Sequence, residues 1–201
     1  MSETLDVPLF PLHTVLFPEG PLPLRIFEPR YIDMVSACLK DDRPFGVALI
    51  SGGSEVGEAA FTHRIGTLAR IVDWHTRHDG LLGITCVGGQ RFRIRDQRIE
   101  PNQLVRAQVE LLPAAASLSL PADYYPLADL ARNLMGRVGR WYEGLPTRFD
   151  DAAWVGYRLA ELLPFPLRDK QPLLQLHDPL RLLERLSELL SDLGGMSLAE
   201  S

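Results

Sequence analysis

Two cysteines and two lysines are all that this chain of 201 residues contains of either type, and both scarcities exclude something. Cys38 and Cys86 stand far apart on a predicted helix and a predicted strand, so they read as buried thiols rather than a disulfide framework or a thiolate metal site. Lys40 and Lys170 are the only lysines, and neither stands in a motif that would make it the base of a serine–lysine dyad. No apolar run approaches the roughly 20 residues of a membrane span. The opening Met1-Ser2-Glu3-Thr4-Leu5-Asp6 has neither the basic nor the apolar segment of a secretory signal, so a cytoplasmic location away from membranes is expected. A basic region is missing too. The net charge of −5 is spread along the chain, with 12 basic and 14 acidic side chains in residues 1–112 and 9 and 12 in 113–201. That is no footprint for a nucleic-acid backbone. With 46% hydrophobic and 23% charged residues, the composition is that of an ordinary globular protein.

Proline, by contrast, is concentrated. Val7 to Tyr31, VPLFPLHTVLFPEGPLPLRIFEPRY, holds six prolines among large apolar residues. Each removes an N–H donor and biases its predecessor away from the α region, which rules out a continuous helix and leaves two short strands, Val7–Phe10 and Leu22–Phe27. Glu19-Gly20-Pro21 is a turn signal between them. Pro29 suits a first helical position, and Tyr31, Met34, Val35 and Cys38 follow at helical spacing, so a helix is predicted to Asp41-Asp42. An apolar strand, Phe45–Ile50, precedes a flexible loop over 51–60. The loop's GGSEVG lacks the Gly-Lys-Ser/Thr of a phosphate loop, and its Glu55 and Glu58 would repel phosphate. Four more strands are predicted at Ile65–Thr76, Leu81–Val87, Arg91–Ile99 and Leu104–Leu112, with turns at His78-Asp79-Gly80 and Gly88-Gly89. About seven short strands and one helix suit a closed or nearly closed barrel. Beyond the Pro/Ala/Ser connector at 113–121 the pattern turns helical, with helices predicted over 122–142, 150–163, 169–176 and 179–193, the last ended by Gly194-Gly195.

The opening PLFPLHTVLFPEGPLPLRIFEPRY resembles the signature of the Lon N-terminal (substrate-binding) domain family. Gly89-Gln90-Arg91-Phe92-Arg93-Ile94, Lys170-Gln171-Pro172-Leu173-Leu174 and Asp178-Pro179-Leu180-Arg181-Leu182 also resemble segments of that family. The resemblance implies an α+β fold: a PUA-like β pseudo-barrel with one embedded helix over 1–112, then a helical bundle subdomain over 122–201. It covers only the N-terminal module of full-length Lon, whose Walker and protease motifs do not occur in these residues. The implied function is non-catalytic recognition of unfolded or peptide segments of other proteins, as an adaptor beside a protease or chaperone partner, with no cofactor and with room for a homo-oligomer.

Loops on a rigid barrel commonly carry recognition. The peptide-binding candidates are therefore Phe10, Phe17, Arg25, Phe27 and Tyr31 of the Pro-rich opening, Ser54 and Glu55 of the loop, and Trp74. An extended peptide added to an open strand edge is the expected mode. Arg25 can contact peptide or form a structural pair with Glu28 or Asp33. Arg91, Arg93 and Arg95 alternate with Phe92 and Ile94, so they are predicted to share an outward face that could meet RNA phosphates, the weaker alternative. Asp73, Asp96 and Glu100 are available to neutralise them. Asp73, His75 and His78 form the best metal-like cluster but lack a closed ligand set, so no metal is expected. A hydrolase built on Ser51, Ser54 or Thr62 beside His63 lacks any orienting motif, and no catalytic residue is assigned.

Overall fold

The computed structural model describes residues 4–199, the last six through their backbone alone. The chain divides into two compact units, Met1–Ala114 and Ala115–Ser201. The first is an α+β unit of seven strands and a helix: β1 (Thr4–Leu12), β2 (Pro21–Ile26), α1 (Pro29–Asp41), β3 (Phe45–Gly52), β4 (Phe61–Thr62), β5 (Ile65–Thr76), β6 (Leu82–Ile99) and β7 (Val105–Leu111). The hydrogen-bonded path runs β1-β7-β6-β5-β3, and β3 pairs back in parallel with β1, Leu9–Leu12 lying opposite Gly46–Leu49. The result is a barrel-like sheet, with β2 added on β6 and β4 on β3.

Burial follows from that path. Phe45 to Ile50 are buried in an unbroken run because β3 has neighbours on both sides. α1 starts with Pro29, ends at Asp42 in the left-handed region (φ 49°) with its N–H on the Cys38 carbonyl, and buries Tyr31, Met34, Val35 and Cys38. These side chains join Phe10, Ile26, Phe45, Ile84 and Cys86 in one core cluster, while Leu9, Leu68, Phe92, Ala107 and Val109 belong to a second. Both cysteines are free and buried, and burial pushes the Cys86 thiol up to about 12.

One expected turn does not exist. β6 runs straight through Gly88-Gly89, where two strands were predicted to meet. A Cβ at Gly88 would collide with the Phe17 carbonyl, so this glycine makes room rather than a bend. The Glu19 N–H donates to the Gly88 carbonyl at 2.7 Å and the Gly88 N–H to the Gly20 carbonyl at 2.9 Å, which seats the Pro-rich crossover against the strand.

The second unit is helical: α2 (Tyr125–Val138), α3 (Ala152–Leu162), α4 (Leu167–Gln175) and α5 (Pro179–Ala199), with single 3-10 turns at Ala122–Tyr124 and Gly139–Trp141. The 3-10 turns break the single helix predicted over 122–142, and α5 continues through Gly194-Gly195, where a stop was expected. Asp151 caps α3 by accepting the Trp154 N–H at 2.8 Å, and Asp178 accepts the Leu180 N–H at 2.9 Å at the start of α5. α3 is buried from Ala152 to Ala160 because α2, α4 and α5 all lie against it. Inside this unit the Arg158 guanidinium pairs with Glu161 at 3.0 Å, Tyr142 hydrogen-bonds the same carboxylate, and Lys170 Nζ donates to the Glu161 carbonyl at 2.7 Å. Part of the predicted connector is fixed here: Leu120 N–H donates to the Asp150 carbonyl at 2.7 Å and Ala152 N–H to the Leu118 carbonyl at 2.8 Å. Among the described residues no helix is long and apolar enough to cross a membrane.

Candidate functional site

The end of β1, the whole of β2 and the entry to α1 converge on one side of the β unit, and the glycine-rich loop after β3 folds back over them. Together they wall a cavity of about 280 Å³ whose lining includes Phe10, Leu24, Phe27, Tyr31, Glu55 and Val56. Its floor is aromatic. The Phe10 and Tyr31 rings stack with centroids 4.0 Å apart, and the Arg30 guanidinium lies 4.7 Å from the Tyr31 centroid. Burial pushes the Tyr31 hydroxyl up to about 12; Glu28 and Glu55 add to the rise, and Arg30 opposes it. Arg30 is itself buried, held by Glu28 at 2.9 Å and by the Gln103 carbonyl at 2.9 Å. The loop is tied down at one point, where the Glu55 carboxylate accepts the His13 backbone N–H. Gly53 and Gly57 adopt φ of 97° and 93°, and Ser54 Oγ accepts the Val56 N–H at 3.3 Å, so a tight turn presents Val56 at the rim. Phe27 stands on the lining as well and is 50% exposed.

Five of the eight peptide candidates therefore meet here: Phe10, Arg25, Phe27, Tyr31 and Glu55. Phe17 does not, being 0% exposed, because the crossover that carries it is pressed onto Gly88. Ser54 and Trp74 are exposed outside the lining, Trp74 at 60%. Arg25 forms no pair with Glu28 or Asp33. Glu28 is taken by Arg30, and Arg25, its side chain 56% exposed, lies 3.5 Å from Asp79, sharing that carboxylate with Arg77. Leu24, Val56 and Glu28 were missed, although the alternation Leu22-Leu24-Ile26 and the single apolar residue of GGSEVG were signals for two of them.

The expected strand addition fits β2 poorly. β2 pairs with β6 through Pro21–Ile26, and a ladder accepts Pro21 and Pro23 only at positions whose N–H would face away from the partner. Of that outward set only Arg25 has a donor, so an incoming strand finds almost none.

The arginine row is not a row. Arg91 is 3% exposed, with a guanidinium N–H donating to the Pro113 carbonyl at 3.2 Å, and Arg95 pairs with Glu110. Only Arg93 of the three projects outward without an ion pair. The neutralising acids also differ from the expectation. Asp6 on β1 takes Arg98 at 2.9 Å and Arg106 at 3.1 Å, while Asp73 and Asp96 accept the N–H of the following residue. Among the described residues no three His, Cys, Asp or Glu side chains are grouped to hold a metal ion.

Comparison with known proteins agrees with the fold. The family model of the ATP-dependent protease La (LON) substrate-binding domain matches residues 6–192. A crystal structure of a Lon N-terminal domain protein from Xanthomonas campestris superposes with a TM-score of 0.75 at 35% identity, over 93% of this chain and 98% of that one. The N-terminal domain of a Mycobacterium avium complex Lon protease shares the fold at 17% identity and a TM-score of 0.64, over 94% of this chain and 99% of that one. Among curated proteins, cereblon of Xenopus tropicalis is 29% identical over 65% of this chain and 29% of its own length. Lon protease 1 of Bdellovibrio bacteriovorus is 26% identical over 91% of this chain and 24% of its own. The chain thus spans about a quarter of the length of these curated relatives. It belongs to the Lon substrate-binding domain family.

Proposed function

We propose that this chain is a non-catalytic recognition module that holds short apolar or aromatic segments of non-native polypeptides in the groove between β2, the start of α1 and the 53–60 loop. The single observation that carries this reading is the stacked Phe10–Tyr31 floor beneath an exposed Phe27 and Val56. Such a surface offers apolar area to a side chain and little hydrogen bonding to a strand, so recognition here is by side-chain insertion. A segment that loses its own disorder on binding reaches the micromolar range, near −8 kcal/mol. The held segment would then pass to a protease or chaperone partner.

The test is fluorescence anisotropy with labelled aromatic-rich peptides. Phe27→Ala should weaken binding about tenfold with the melting temperature nearly unchanged, because Phe27 is half exposed. Equal peptide affinity of Phe27→Ala and the wild type would remove the groove as the site. Salt-dependent RNA binding without peptide binding would replace the reading altogether.

A further inference from the structure

On α1, Asp33, Ala37 and Asp41 fall four residues apart and form one stripe beside the buried Met34 and Cys38. At 1.5 Å per residue the two aspartates are about 12 Å apart along the helix, and the alanine between them carries only a methyl group. That short side chain faces a cavity of about 410 Å³ between α1, β1 and the 100–106 turn and strand. Its apolar surface comes from Val7, Met34, Cys38 and Leu104, all buried, with Leu5 and Ala37 beside them.

The charges around this space do not balance. Asp6, Asp33, Asp41 and Glu100 line it with Arg43 and Arg106, and Arg98 reaches Asp6 at 2.9 Å from outside, so four carboxylates meet three guanidiniums. Arg106 is already committed: its guanidinium hydrogen-bonds Asp6 at 3.1 Å and lies 3.7 Å from Glu100. Among the described residues neither aspartate of the helix stripe has an ion pair. An anion would meet this excess of negative charge, and an uncharged apolar molecule would leave it unanswered. A cation carried on an apolar body satisfies both the lining and the charge.

We propose that this second cavity binds a small amphipathic organic cation, an ammonium or guanidinium on an apolar body, with its charge at one of the two aspartates, Asp33 or Asp41, and its body over Ala37 against Met34, Cys38 and Leu104. The volume lies in the range of small-molecule sites and suits a body of roughly 10–20 non-hydrogen atoms rather than an extended chain. The site is separate from the peptide groove, with which it shares no lining residue.

Three matched probes test it on the full chain by titration calorimetry: 4-phenylbutylamine, 4-phenylbutan-1-ol and 4-phenylbutanoate. The amine should bind, the alcohol at least fivefold more weakly, and the carboxylate not measurably. The amine should also slow alkylation of Cys38 by N-ethylmaleimide, read by peptide mapping, since Cys38 lines the cavity while Cys86 is sealed inside the sheet. Asp33→Asn combined with Asp41→Asn should bring the amine down to the alcohol's affinity. Ala37→Leu, a change on an exposed helix position, should intrude where the apolar body lies and weaken binding severalfold, and Phe27→Ala in the groove should leave it unaltered. Equal binding of the three probes, preference for the carboxylate, no binding at all, or an Ala37→Leu variant that takes the amine as tightly as the wild type would each overturn the proposal.

Discussion

Both units carry ion pairs at the surface, Arg132 with Asp129 and Arg185 with Glu188 in the helical one, and each also buries a pair, but the two buried pairs stand in different surroundings. In the β unit Asp6 with Arg98 and Arg106 and Arg25 and Arg77 with Asp79 stand at the surface, while Arg30 with Glu28 is buried at the edge of the groove. Large apolar side chains stand exposed beside them, Phe27, Phe61 and Trp74 among them. In the helical unit the Arg158–Glu161 pair is inside, on a helix surrounded by three others. A surface pair is screened and can be broken at little cost, whereas a buried pair that loses one partner strands the other. The buried pair of the β unit borders a cavity, whereas that of the helical unit is enclosed by its own helices.

Single substitutions put numbers on that contrast. Arg158→Ala leaves Glu161 buried without its cation and should cost about 3–5 kcal/mol in urea unfolding at neutral pH. Burial already raises the Glu161 carboxyl above its ordinary value, so this loss should shrink as the pH falls and Glu161 takes up a proton. A pH-independent loss would mean that packing, not charge, is what Arg158 supplies.

Phe17→Ala comes next, with a cavity cost of about 3–5 kcal/mol at a side chain that is fully buried. A melting temperature unchanged by this substitution would return Phe17 to the surface.

Asp6→Asn should be milder. Hydrogen bonds from Arg98, then from Arg106, hold the Asp6 carboxyl below its ordinary value of 3.8. A lowered carboxyl stabilises the fold above the ordinary value, and this contribution is lost as pH falls through the lowered one. Solvent screening keeps it to about 1 kcal/mol or less. Stability measured between pH 6 and pH 3 should therefore fall less steeply in Asp6→Asn than in the wild type. Glu161 works the other way, its contribution present in acid and lost as pH rises through its raised value. Arg25→Ala is the smallest change, below about 1 kcal/mol, because its pair with Asp79 is exposed. A loss of 3 kcal/mol would restore the structural pair expected from the sequence.

Legibility from sequence divided along a physical line. Elements written in local periodicity, such as α1 after Pro29 or the run Phe45–Ile50, were readable, and so was their barrel-like assembly once the Pro-rich signature was matched. What could not be read was what lies opposite. Gly88-Gly89 has the composition of a turn, and only the crossover seated on it shows that the glycines make room. Arg91 alternates like an outward residue, but it sits where the chain leaves β7 and gives Arg91 a carbonyl to bond. For the groove, the aromatic floor was legible, while Glu28 belonged to Arg30 rather than Arg25 because helix entry, not strand alternation, sets its direction.

The pairing of β1 with β7 places Thr4 opposite Glu110 and Leu9 opposite Val105. On a ribosome that order has a cost in time. β3 follows β1 within about forty residues and can take one edge of it, but the other edge waits for a partner about a hundred residues behind, on the order of 5–20 s at ordinary elongation rates. Through that interval an apolar segment stands with an open ladder, the kind of edge on which nascent chains aggregate. Pro21 and Pro23 meanwhile withhold N–H donors along the outer edge of β2, so residues that make the opening hard to read as secondary structure also keep a second strand edge from inviting a partner.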